Sequence, residues 1–385
     1  MEQRRFSGKS HWYHETQSSA RQHQTLPLVP EAARVDDPFL LDLSLPDDIT
    51  EACSGWLTPA RKLYGLLFPQ RVTVNRLRTL SAYDRLSTAL TVAQVYGVQR
   101  LCNHYAARLA PLPGPDSSRE SNHRLAQITQ YARQLAASPD VIDARARQQL
   151  DDVGLTEYDT ILMAQIIGYV GFQARTVAGF QALTGQPVRL IPGMSMQQEA
   201  SPTRFDDHSN QWIAGIHGVD LRVANARQLE SLAAWQPLPA FRLLAPVLAH
   251  EYPSLDELGE IYSGAQSLLL DEELTERITL HSARINGSAH CFAESWRQWT
   301  GSDELAEAIR QGAQALKQHD QTRAKDAAIA QSVQMLTCAP DRFSAAHFSA
   351  LLANGFTSSS AIGLVVWCAL CGWLNRLKIA LGDVA

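Results

Sequence analysis

The chain has 385 residues, of which 45% are hydrophobic and 19% charged, and its net charge is -5. This is a globular composition with enough length for two cores, and it excludes a disordered chain or a polybasic nucleic-acid binder. Of the six cysteines only Cys368 and Cys371 are close in sequence, so no disulfide framework is apparent and a reducing, cytoplasmic setting is expected.

Residues 1–45 are polar and then punctuated by Pro27, Pro30 and Pro38, an N-terminal arm expected to extend and wrap a neighbour. Met1–Ser19 has no apolar core and does not read as a secretory signal; its His11 and His14 read as solvated. Helical periodicity begins near Ile49. Over Tyr83–Leu109, the residues Leu86, Leu90, Ala93, Val98, Leu101 and Tyr105 form one apolar stripe, ended by Pro111, Pro113, Gly114 and Pro115. Further helices are predicted over about Arg119–Ala137 and Pro139–Val153. A strongly apolar one covers Thr156–Leu183, with Thr156 as its N-cap and Gly185 and Pro187 beyond its end. Residues 186–212 read as a loop, and a second set of helices starts near Asn225. The longest apolar run, Ala361–Leu374, is too short to span a bilayer and predicts a buried core helix, so no membrane is expected. Alternating strand patterns are scarce, and the fold class is all-α.

An internal repeat runs without gaps. Gly154, Thr156, Ile161, Gly171, Phe172 and Arg175 align with Gly355, Thr357, Ile362, Gly372, Trp373 and Arg376. The expected organisation is an arm over 1–45, a first helical repeat over 46–200, a linker over 201–214 and a second repeat over 215–385. The two arginines are expected to cap helix ends or to pair with acids inside their own units. Cys368-Ala-Leu-Cys371 lies in an apolar helix and aligns with Ile167 and Val170, which makes both cysteines core positions with no second ligand pair for zinc. Cys102 and His104 also read as structural.

The chemistry concentrates around Cys291. Asn286-Gly287 is a turn signal and Ser288 a plausible N-cap, so Cys291 falls in the first turn of the next helix, where N–H groups favour a thiolate. Glu276 lies on the preceding helix, where a hairpin could return it to take the thiol proton. A free cysteine is also commonly an inert, buried hydrophobe, and that reading stays open.

This stretch resembles the redox motif of the carboxymuconolactone decarboxylase/AhpD-like superfamily, in particular its two-repeat, peroxidase-related members. In that family a Glu on one helix precedes an Asn-Gly turn and Cys-x-x-Cys-x-x-x-His on the next. Glu276, Asn286-Gly287 and Cys291 match the Glu, the turn and the second cysteine, while Ser288 and Ser295 stand where the first cysteine and the histidine would be. Phe241-Arg-Leu-Leu-Ala and Trp373-Leu-Asn-Arg-Leu are also similar to the peroxidase-related members. The likeness is good over about 235–385 and weaker over 80–185, and residues 1–45 resemble an enterobacterial oxidoreductase subgroup. In the first repeat the turn near Gly97 is followed by Val98 and Leu101 where cysteines would be.

The resemblance implies an AhpD-like helical fold of two tandem degenerate repeats and a thiol-dependent peroxidase. It also implies a small-molecule peroxide or thiol substrate, no cofactor, no metal and a homo-oligomer. Cys291 would be the reactive thiol, Glu276 its proton acceptor and Ser288 a hydrogen-bond donor in place of the missing cysteine. Ser295 reads as a remnant, and His281 or His290 as a substitute for the missing histidine. With no resolving thiol at Ser288, turnover would pass through a sulfenic acid resolved by an outside thiol. The alternative is a catalytically degenerate scaffold acting through oligomerisation or partner binding; a decarboxylase ranks last, because nothing marks a lactone pocket.

Overall fold

The computed structural model describes residues 30–188, 196–207, 211–269 and 271–384, and these are all-α apart from one two-stranded ribbon. The first series of helices is α1 (Ser54–Leu67), α2 (Ala82–Tyr96), α3 (Gln99–Leu109), α4 (Arg119–Ala137), α5 (Ala144–Asp151) and α6 (Glu157–Leu183). After α7 (Ala226–Trp235) the same order returns as α8 (Tyr252–Leu268), α9 (Glu272–Asn286) and α10 (Ala289–Gln298). Two extra helices then intervene, α11 (Asp303–Gln311) and α12 (Ala313–His319), before α13 (Ala324–Cys338), α14 (Ala345–Ala353) and α15 (Ser358–Leu381). Short helical turns at Asp47–Ala52 and Ala245–Leu248 complete the main elements. Strands β1 (Trp212–Ala214) and β2 (Gly382–Val384) pair antiparallel, with Trp212 opposite Val384.

The helix ends follow the sequence. Thr156 caps α6 in a capping box with Asp159, Thr357 caps the equivalent α15 with Ser360, and Asn225 caps α7. The predicted single stripe over Tyr83–Leu109 is instead two helices. Gly97 stands at φ 68°, a left-handed C-cap that turns the chain between α2 and α3, and Gly287 at φ 74° does the same between α9 and α10. A side chain is excluded there by space as well as by conformation. A Cβ on Gly287 would lie 2.5 Å from Asp140 Cβ, and one on Gly97 would lie 3.2 Å from Asp341 Cβ. Each turn therefore rests on the short 3-10 turn of the opposite series.

Equivalent helices pair across the molecule, α6 along α15 and α1 along α8. One continuous apolar cluster runs from Phe39 to Leu381 through both series. At the α6–α15 crossing Trp373 lies flat on Gly168, where an added Cβ would come within 1.8 Å of its indole. Helix α15 is long and apolar enough to cross a membrane, but its apolar window is entirely buried inside the protein.

Three expectations are corrected here. The part of the arm within the described residues does not reach outward: Phe39 is fully buried against Trp56, Tyr169 and Phe172, and Gln173 donates to the carbonyls of Pro38 and Phe39. His11 and His14 lie outside the described residues. The stretch read as a linker buries Phe205 and Trp212, and it supplies β1, a strand too short to leave an alternating pattern. Finally, of the two roles expected of Arg175 and Arg376, they take the capping of helix ends and not the pairing with acids, and the ends they cap belong to the other series. Arg175 donates to Thr337 O at 3.2 Å, while Arg376 donates to Leu135 O at 3.0 Å and Ala136 O at 2.8 Å. Each guanidinium thus meets the negative end of a helix of the other series. Arg376 also holds Gly372 O, Asn286 Oδ1 and Gln197 Oε1. Burial lowers its pKa to about 10, which still leaves it charged at neutral pH.

Arg376 is predicted to be the costlier of the two arginines to change. A lysine cannot reproduce the fork, so Arg376→Lys strands several buried acceptors and should cost about 3 kcal/mol. Arg175→Lys should cost less, because Arg175 has one such cross-contact and a stacking contact on Tyr96. Urea unfolding of the two variants beside the parent protein measures the difference.

Candidate functional site

The turn between α9 and α10 builds the site. The N–H of Ser288 bonds Ala283 O at 3.0 Å, closing α9 with the two-bond C-cap that a left-handed glycine allows. Asn286 is fully buried and held by Arg376 and by Asn375, which fixes where α10 starts. Ala289, His290 and Cys291 are then the first turn of α10, as the sequence predicts. Ser288 is the N-cap by position, but its side chain makes no cap hydrogen bond.

The second expected partner is not where the motif would have it. Glu276 Oε2 accepts from the Thr300 N–H at 3.0 Å and from the Thr300 hydroxyl at 2.8 Å. It ties down the loop after α10 and makes no hydrogen bond to Cys291. His281 lies on another face of α9, toward a separate cavity beside α12 and α13, and so does not substitute for the missing histidine. Ser295 is half-buried on α10, one turn beyond Cys291.

Another carboxylate and a cation take the position instead. Glu294 is three residues beyond Cys291 and four beyond His290, so the three share a face of α10. Lys378, from the last turn of α15, is 5% exposed and its Nζ donates to Glu294 Oε2 at 2.8 Å. His290 is also 5% exposed; its Nε2 stands 3.5 Å from the same Oε2, and neither ring nitrogen completes a hydrogen bond. Burial works to lower the Lys378 pKa, but the Cys291 sulfur and the Glu294 carboxylate outweigh it and raise the pKa above the ordinary value. Burial likewise works to raise Glu294, and the His290 contact and the Lys378 charge overcome it, bringing the carboxyl down to about 2. At neutral pH the cluster therefore holds an ammonium and a carboxylate, with His290 and the 7% exposed Cys291 beside them.

Beside the cluster is a cavity of about 360 Å³ whose walls include Trp212, Arg242, Leu243, His290, Glu294 and Arg297. Trp212 closes one side because its indole N–H donates to Lys378 O at 2.7 Å, the contact that the β1–β2 ribbon holds in place. Cys371 is buried on α15, seven residues before Lys378, with its sulfur 3.7 Å from Thr279 Oγ1. Burial, then Cys368, push its thiol well above the usual range. Cys368 is 1% exposed among Ser282, Thr337 and Val333, so both cysteines of that pair are core side chains. His104 is likewise structural, between Tyr64 Oη at 2.6 Å and Ala32 O at 2.8 Å.

Lys378 was legible only as a second cation, after Arg376, in an apolar helix, and Glu294 only as one acid in the first turns of α10. The first series shows what the same positions look like without charge. Counting from the two turn glycines, Leu101 takes the place of Cys291 and His104 that of Glu294. Counting from the two final helices, Val177 takes the place of Lys378, and both Leu101 and Val177 are fully buried.

The Lys378–Glu294 pair gives two predictions. Glu294→Gln leaves a buried ammonium without its counter-charge and should cost about 3 kcal/mol at pH 7, whereas Glu294→Gln with Lys378→Met should recover much of that loss in a double-mutant cycle. Because the folded pKa of Glu294 is depressed, its contribution is complete above about pH 4.5 and is lost as the pH falls toward 2. Acid unfolding curves should therefore be shallower over that window for Glu294→Gln than for the parent.

Compared with protein-family models and with curated proteins, the chain matches none.

Proposed function

We propose that this protein is an AhpD-like oxidoreductase of the thiol-dependent peroxidase type, working with one reactive cysteine, Cys291, on hydrogen peroxide or an organic hydroperoxide. The observation that supports this reading best is the buried Lys378 ammonium, held by Glu294 on the helix whose first turn carries Cys291. A cation beside a thiol at a helix N-terminus stabilises the thiolate, which is the nucleophilic form. The role first assigned to Glu276 passes to Glu294 and Lys378, and His290 lies where it can shuttle a proton to the cavity.

The thiolate attacks a peroxide oxygen. The S–O bond forms as the O–O bond breaks, and the departing oxygen takes a proton to leave as water or alcohol. Lys378 is a buried donor available for that proton. Cys291 is left as a sulfenic acid. An outside thiol such as glutathione attacks the oxidised sulfur and expels water, giving a mixed disulfide. A second outside thiol frees Cys291 and carries away the disulfide product.

A specific observation favours a second reading, a helical scaffold without turnover: Cys291 is only 7% exposed and is not among the residues lining the adjacent cavity. Peroxide consumption in the presence of glutathione separates the two. The parent should consume peroxide, Cys291→Ala should not, and Lys378→Met should lower the rate about tenfold through its loss of thiolate stabilisation. Equal, buffer-level rates for all three would leave the scaffold reading.

A further inference from the structure

The two helical series differ most in one place. The first joins α3 to α4 through residues 110–118, whereas the second joins α10 to α13 through residues 299–323, which fold into α11 and α12. Between α12, α13 and α14 is a cavity of about 660 Å³ that reaches down to His281 on α9. That size is in the range of small-molecule sites.

Its walls are largely apolar, with Ala313, Leu316, Ala330 and Met335 among them, while the floor is polar. His281 is 3% exposed and its Nδ1 has no hydrogen-bond partner among the described residues. The buried Gln334 Oε1 faces the imidazole closely enough to favour its protonated form, yet completes no hydrogen bond either, and the amide nitrogen of Gln334 contacts Cys338 Sγ. Buried polar atoms are normally satisfied, so orphans at the end of a cavity mark a place that a ligand's polar group would fill. Arg277 and Asp320 are committed to each other and to their neighbours: Arg277 is bound by Asp320 at 3.0 Å and by Asp326 at 2.5 Å, and Asp320 also meets His319 at 2.7 Å; Lys317 is the remaining charge of the lining. Burial, with Arg277 and Arg284 on the same helix, lowers the His281 pKa to about 3, so the imidazole is neutral.

We infer that this cavity binds a small uncharged molecule with an apolar body and an O–H or N–H head, the head donating to Gln334 Oε1 and paired with His281 Nδ1. The orphaned Gln334 Oε1 is an acceptor and calls for a donor, which a carboxylate or phosphate lacks, and the apolar part of the walls would not solvate an anion. The site is independent of Cys291, which does not line this cavity.

Saturation-transfer NMR and calorimetric titration with phenol, benzyl alcohol and benzamide test it, with toluene as the control lacking the head. At least one of the three should bind saturably and more tightly than toluene. His281→Leu should weaken that binding about tenfold, the loss of one buried hydrogen bond. Gln331 is exposed at the cavity mouth, so Gln331→Trp should block binding with the unfolding temperature unchanged, a readout that survives if His281→Leu does not fold. Cys291→Ala should bind as the parent does. The inference is overturned if none of the three binds saturably, if toluene binds equally well, or if binding persists in Gln331→Trp.

Discussion

The crossing of α6 and α15 is the constraint on which the rest depends. These are the two most apolar long helices, and burying them against each other removes from water a surface that neither series could cover alone. The crossing is close because Gly168 accepts the Trp373 indole, and it is registered by two buried arginines that reach across to the helix ends of the opposite series. A guanidinium deep in the core is costly unless its donors are filled. Arg376 fills its donors with backbone carbonyls and side-chain oxygens, so its cost is offset only when both series are in place. Assembly of the two halves and satisfaction of their buried charges are then one event.

The site inherits its geometry from that event. Arg376 holds Asn286, Asn286 precedes the left-handed Gly287, and Gly287 rests on Asp140 of the first series. Lys378 is two residues beyond Arg376 on α15. The arginine that joins the halves therefore also fixes how the lysine approaches α10. Residues with no chemical role of their own decide the separation between a thiol, an ammonium and a carboxylate. This is the kind of support by which a site keeps its geometry.

Much of the architecture was readable in the sequence, because it rests on local signals. The caps at Thr156 and Asn225, the repeat ending in Arg175 and Arg376, the all-α class and the first-turn position of Cys291 all come from patterns within one helix or one turn. What was not readable depended on which distant side chain arrives. Spacing alone put Glu276 opposite Cys291, but a helix offers several faces, and Thr300 took that carboxylate. Lys378 comes from a helix almost ninety residues later in the chain, and no periodicity reports that approach. Gly97 broke an apolar stripe whose spacing was compatible with one continuous helix. The segment before α1 looked like a free arm because its prolines and polar residues hide one buried aromatic, Phe39.

The correspondence between the two helical series explains why one of them can carry charge at all. In the first series, Leu101 and Val177 occupy the positions of Cys291 and Lys378, and His104 is locked by Tyr64 and Ala32. Those choices favour stability: apolar groups fill buried space without desolvation cost, and the imidazole has both nitrogens satisfied. The second series holds at the same positions a buried ammonium, a thiol and an imidazole whose nitrogens complete no hydrogen bond. Such groups are expensive in a small core and persist where surrounding structure over-determines them. The first series supplies that structure, through Asp140 under Gly287 and the α4 carbonyls on Arg376. A chain of this kind can keep one half as scaffold while the other carries an unfavourable cluster. That division of labour, more than any single motif residue, is how the fold accommodates the polar group around Cys291.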